Sequence, residues 1–237
     1  MRILATPLGY LLSWLYQLVG NYGITLVIFT IAIKICLYPV YAKSMKSTMK
    51  MGKLQPKMQE LQQKYGKDKE VYNQKLSELY KSEGASMYGG CLPMLIQTII
   101  IMGLFSLLRT PMTYMNSETM LFAIHEPFLW IRDLSQPDKW ILPIAAGLAT
   151  FIAYSKNTSP TSMGPSTSAQ QANMMTKTMK YFFPIMILWF ARTYPAGLAI
   201  YWFLSQVVQI FYNLRFSAWK KKQEAEEEEQ KKKRRKK

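Results

Sequence analysis

Apolar residues in this chain are gathered into long runs instead of recurring at the spacing of a soluble core. Five runs read as membrane spans: about Tyr22 to Tyr41 (YGITLVIFTIAIKICLYPVY), Cys91 to Leu108, Trp140 to Tyr154, about Tyr181 to Ala191, and Ala196 to about Phe216. The first has the roughly 20 residues that a hydrocarbon layer of about 30 Å requires of a helix rising about 1.5 Å per residue. The third and fourth are short, which thins the bilayer or draws in flanking residues. Pro93, Pro143 and Pro184 are expected in the opening turns of their segments, where a missing N–H costs little. Before the first span, Thr6 to Val19 is apolar and carries Tyr10, Trp14 and Tyr16, but it is too short to cross. No small-residue cleavage site follows it, and an interfacial helix lying along the membrane is the expectation.

Between the runs the pattern becomes amphipathic or polar. Met51, Leu54, Met58, Leu61 and Tyr65 step by three and four; Gly66-Lys67-Asp68 makes a turn; Tyr72, Leu76 and Leu79 resume the stepping. That spacing predicts a helical hairpin, with a kink or restart near Gly52 to Pro56. Its lysines suit a solvated face, lipid headgroups or RNA. Ser155 to Asn173 is small, polar and broken by Pro160 and Pro165, the composition of a flexible linker. It contains the formal sequon Asn157-Thr158-Ser159, which a cytoplasmic position makes meaningless. The tail after Trp219 is blocked charge with no core-forming residue, helical or disordered in water.

Charge orients this pattern. Of 30 Lys+Arg against 14 Asp+Glu, a net of +16, ten lysines lie in Ala42 to Gly90. Lys156, Lys177, Lys180, Arg215, Lys220 to Lys222 and the run Lys231 to Lys237 fall on the same side. The opposite side holds Arg2, Arg109, Arg132, Lys139 and Arg192. The positive-inside rule then places the amino terminus outside and the carboxy terminus in the cytoplasm, which an odd number of spans allows. The resulting division is an interfacial helix at 1–20, spans at 21–42, 86–110, 139–155, 176–193 and 195–216, a cytoplasmic hairpin at 43–85, an external loop at 111–138, a cytoplasmic loop at 156–175 and a basic tail at 217–237. The fold class is an all-α membrane protein with a five-transmembrane-helix core.

Candidate chemistry is sparse. Two cysteines, Cys36 and Cys91, and one histidine, His125, argue against disulfide frameworks and metal sites. His125 reads as a surface histidine and the cysteines as small apolar residues. No phosphate-binding loop, dinucleotide glycine pattern or Ser-His-Asp set is present, so neither a chemical enzyme nor a cofactor is expected. Lys34 is the one charge inside a span, at a cost of about 2.5 to 3.5 kcal/mol on insertion scales. No Asp or Glu lies in any span, so the lysine must be neutral, snorkelled, or solvated in a wet cavity. Thr30 lies one turn before it on the same face, and Gln97 and Gln206 can line that surface or bond between helices. A small-anion transporter using Lys34 and a passive scaffold are the competing readings.

Four sequences carry a resemblance: GGCLPMLIQ at Gly89 to Gln97, FLWIRDLSQPD at Phe128 to Asp138 with ILPI at Ile141 to Ile144, and PAGLAIYW at Pro195 to Trp202. In this order and spacing the chain resembles the YidC/Oxa1/Alb3 membrane protein insertases, from about Thr6 to Phe216. The resemblance implies a five-helix core, an external amphipathic helix, a cytoplasmic hairpin and a groove open to cytoplasm and lipid. It puts Lys34 where relatives usually carry arginine, which keeps the charge and loses bidentate geometry. It places substrate-facing positions at Thr30, Ile101, Ala146, Phe190 and Trp202. It implies nascent membrane proteins as substrates and the Sec channel as a possible partner. The basic tail, Lys220, Lys221, Lys222, Lys231, Lys232, Lys233, Arg234, Arg235, Lys236 and Lys237, is expected to hold ribosomal RNA phosphates, with anionic lipid as competitor and topology anchoring as the simpler role.

Overall fold

The computed structural model describes residues 2–84, 92–109, 122–156 and 169–235. Within them lie seven helices of fourteen residues or more: α1 (Arg2–Val19), α2 (Tyr22–Tyr65), α3 (Lys69–Ser82), α4 (Leu92–Arg109), α5 (Ile141–Lys156), α6 (Ala169–Thr193) and α7 (Ala196–Arg235). Cys91, the sequon at Asn157, Lys236 and Lys237 lie outside the described residues. By length and composition α2 alone among the described helices qualifies to cross a membrane; Leu95–Leu107 and Ile141–Ser155 are shorter apolar helical stretches.

The periodicity of α2 separates its faces. Ile24, Ile28, Ile31 and Ile35 step by four and three along an outer face and are 39 to 64% exposed. Tyr22, Leu26, Phe29, Thr30 and Lys34 face inward. The same division marks α1, where Tyr10, Trp14 and Leu18 are exposed and Leu12 is fully enclosed against a core that includes Leu104 and Leu107 of α4. Exposed Ile144, Leu148, Ile152, Ile185 and Trp189 continue the outward apolar surface on α5 and α6. So large an apolar surface suits lipid, not water.

α2 continues without a break through Pro39 and Pro56. The restart expected near Gly52 to Pro56 is therefore absent: packing of the stripe on both sides of Pro56 holds one helix across the lost hydrogen bond. Leu54 and Met58 of α2 pack with Tyr72, Leu76 and Tyr80 of α3, flanked by Leu61 and Leu79, so the hairpin forms as its spacing predicts. Gly66 closes α2, and the Asp68 carboxylate caps α3 by accepting from the Glu70 and Val71 amides. Lys57 pairs with Glu83 at 2.6 Å in the open, which contributes little.

One further expectation changes. Pro184 sits mid-helix, not in an opening turn, because α6 begins at Ala169 and takes in residues read as linker. Of the two states expected for the charged tail, helical or disordered, the structure has the helix, α7 running unbroken to Arg235.

The loop after residue 122 ties helix ends together. Glu126 accepts hydrogen bonds from the Tyr16 hydroxyl and, at 2.7 Å, from the Tyr22 amide, joining the end of α1 to the start of α2. The bond to Glu126 pushes the Tyr16 hydroxyl up to about 12, with some burial added. Gln136 and Leu134 carbonyls accept from the Ala196 and Gly197 amides at the start of α7, and Asp138 caps α5 at the Leu142 amide. His125 is exposed as expected, but it has a partner: its Nδ1 lies 3.1 Å from Asp133 and 3.0 Å from the Ser135 hydroxyl. Burial pushes the Asp133 carboxyl up, and the Ser135 and His125 bonds outweigh it, leaving the group below its ordinary value.

Candidate functional site

Lys34 lies on the inward face of α2, 9% exposed. Its ammonium does not snorkel outward; Nζ donates to Gln97 Oε1 of α4 at 3.0 Å. Gln97 Nε2 in turn donates to the Tyr201 hydroxyl of α7 at 3.2 Å. A single chain of hydrogen bonds thus joins three helices around one cation, and among the described residues no carboxylate pairs with it. Below it, the Tyr212 hydroxyl donates to the Lys34 carbonyl at 2.8 Å, and the Tyr212 ring lies 5.1 to 5.2 Å from those of Tyr38 and Tyr41. Asn213 collects the next layer. Its side-chain oxygen accepts from Tyr41 and Gln209, and its amide nitrogen donates to the Ala153 carbonyl of α5 at 3.0 Å. Buried polar groups in an apolar surrounding must be bonded in this way or cost several kcal/mol each, roughly 2 to 7.

The other positions singled out by sequence fall around this centre unevenly. Ile101 lies one helical turn beyond Gln97 and is half-buried. Phe105, a further turn on, meets Tyr194 edge-on at 5.2 Å, and Tyr194 stacks on Phe190 at 5.2 Å. Trp202 follows Tyr201 on α7 and donates from Nε1 to the Thr150 hydroxyl at 3.3 Å. Thr30 and Ala146 are fully enclosed: Thr30 donates its hydroxyl to the Leu26 carbonyl, and Ala146 accepts from Thr150. Gln206, half-buried one turn beyond Trp202, is outside the Lys34–Gln97–Tyr201 chain. In the tail, Lys221, Lys222, Lys232 and Lys233 are exposed and Lys220 is partly covered. Of Lys231, Arg234 and Arg235 only the helical backbone is described.

Sequence reasoning missed Tyr201 and Glu126. A tyrosine buried in an apolar run needs a partner for its hydroxyl, and that signal was available at Tyr201. At Glu126 the only signal was its acidity in a loop, which does not reveal that two helix ends converge there.

Comparison with known proteins follows the same outline. Residues 14–224 match the family model described as 60Kd inner membrane protein. The membrane protein insertase YidC of Fusobacterium nucleatum subsp. nucleatum is 38% identical over 210 residues, which is 88% of this chain and 92% of the relative. That of Caldanaerobacter subterraneus subsp. tengcongensis is 34% identical over 211 residues, 89% and 92% of the two chains. That of Geobacter sp. (strain M21) is 38% identical over 212 residues, but the chain spans 35% of its length. Among solved structures, one described as an active YidC insertase crystal structure with the first transmembrane domain resolved matches with TM-score 0.58 and 28% identity, over 88% of this chain and 45% of that one. On the family model and these relatives together, the chain is a membrane protein of the YidC family of 60Kd inner membrane proteins.

Proposed function

We propose that the chain is a membrane protein insertase, receiving nascent hydrophobic segments beside Lys34 and releasing them into lipid. The observation that carries the reading is the enclosed ammonium of Lys34, held by one neutral acceptor and, among the described residues, facing no carboxylate. A cation kept there against a cost of about 2.5 to 3.5 kcal/mol is what an acidic residue in a translocating flank would meet favourably. Drawing a polar flank through hydrocarbon is expensive, and a hydrated half-path beside the cation shortens the dry distance. Ile101, Phe190 and Trp202, partly exposed, are the contacts for the apolar segment; Thr30 and Ala146 join them as the helices part. Burial of the substrate's own apolar residues drives the step, about 25 cal/mol per Å², so no nucleotide or cofactor enters.

In this reading the five apolar runs span the membrane with the amino terminus outside, the α2–α3 hairpin and the tail lie in the cytoplasm, and α1 lies along the outer interface. The substrates are nascent membrane proteins. The tail holds rRNA phosphates of a translating ribosome, anionic lipid headgroups compete for it, and the Sec channel is a neighbour in some of the work.

The test is reconstitution. Liposomes carrying the purified chain are expected to insert a single-span protein with a short flank, without nucleotide, to protease-protected yield well above that of empty liposomes. Equal yields with and without the protein contradict the proposal.

A further inference from the structure

Lysine has a flexible four-carbon stem and an ammonium that only donates. Nothing intrinsic to Lys34 fixes where its charge is presented. The structure supplies what is missing. Gln97 must turn its amide oxygen to the ammonium, because its NH2 there would set donor against donor; the amide nitrogen is then directed at Tyr201, whose hydroxyl accepts. Among the described residues one of the three ammonium donors is thereby taken by the protein and two are left for an incoming group. Tyr201 is 1% exposed and therefore itself rigidly placed. Gln97 is half-buried, standing between the wall of α7 and the cation.

We infer that Gln97, oriented by Tyr201, is the positioning residue that fixes the Lys34 ammonium for an acidic group on the substrate, and so sets the preference for acidic over neutral flanks. This rests on the insertase reading above. Neither residue need touch the substrate: Gln97 acts through Lys34, and Tyr201 through Gln97.

The experiment uses the full chain in liposomes and two single-span substrates that differ only by Asp against Asn in the short flank; the readout is the ratio of their insertion rates. The unaltered protein favours the Asp flank. Gln97→Leu removes the acceptor and is expected to lower that ratio about tenfold, the scale of one hydrogen bond to a charged group. Gln97→Glu places a carboxylate on the ammonium and is expected to abolish the preference. Tyr201→Phe deletes one oxygen, frees the amide to turn, and is expected to lower the ratio about threefold; it keeps the test open should Gln97→Leu fail to accumulate. A purely structural role would slow both substrates alike and leave the ratio unchanged, which overturns the inference. So does an active unaltered protein with no preference for Asp, and that result leaves the insertase reading standing. If the unaltered protein inserts neither substrate, both fall.

Discussion

Lys34→Glu is expected to reduce insertion of a substrate with an acidic flank about a hundredfold while leaving a substrate with a basic flank far less affected. Two unit charges about 4 Å apart interact by about 4 kcal/mol at an effective dielectric of about 20, and reversing one sign converts that attraction into repulsion. Screening removes part of the swing, so about 2.7 kcal/mol, two powers of ten, is the expected remainder. The substituted carboxylate keeps a local partner, since the Gln97 amide can turn and donate to it, so loss of fold is not the expected cause. Lys34→Arg retains the charge and is expected to keep most of the activity. Insertion rates for matched acidic and basic flanks in liposomes decide the matter. A Lys34→Glu protein that still handled both flanks like the unaltered one would remove the lysine from the mechanism.

The second large effect is structural and lies at the amino-terminal end of α2. A Cβ at Gly23 would sit 2.2 Å from two ring atoms of Phe128, a distance no pair of carbons tolerates. Phe128 has little room to yield, because paired amide-to-carbonyl bonds of 2.9 Å with Ile131 fix its backbone and its ring packs against the main core. Gly23→Ala is therefore expected to destabilise the protein by about 1 to 3 kcal/mol, and Gly23→Val by more. The loss should appear as a lower midpoint of thermal unfolding in detergent. Combining Gly23→Ala with Phe128→Ala removes the obstructing ring, and the pair should be less destabilised than the separate costs predict, by 1 kcal/mol or about that. Strict additivity would show that the close approach does not constrain the native state.

Much of this architecture is visible in the sequence because a helix face repeats every three to four residues. The isoleucines of α2, the apolar stripe of the hairpin and the isolation of Lys34 all follow from counting along the chain. Helix continuity does not. By local rule Pro56 marks a kink or restart and Pro184 an opening turn, yet both lie inside unbroken helices, where tertiary packing outweighs one missing hydrogen bond. Contacts across long separations are equally hidden: Gln97 and Tyr201 are 104 residues apart, and Tyr22 and Glu126 are the same distance apart. Gln97 stood out as a polar residue in an apolar run, and its two partners emerge only when the helices are brought together. Thr30, which sequence pairs with Lys34 on one polar face, spends its hydroxyl on its own helix backbone.

The claim on which the functional reading depends is that substrate meets Ile101, Phe190 and Trp202, and not the outer apolar surface. Photo-crosslinking from single probes, placed in active protein facing a ribosome-stalled membrane-protein segment, measures this directly. Probes at Trp202 and Phe190 are expected to label the nascent chain strongly. Probes at the outward Ile185 and Ile24, 70% and 46% exposed, should label lipid and little else. Labelling at Ile185 and Ile24 with none at Trp202 or Phe190 would contradict the account.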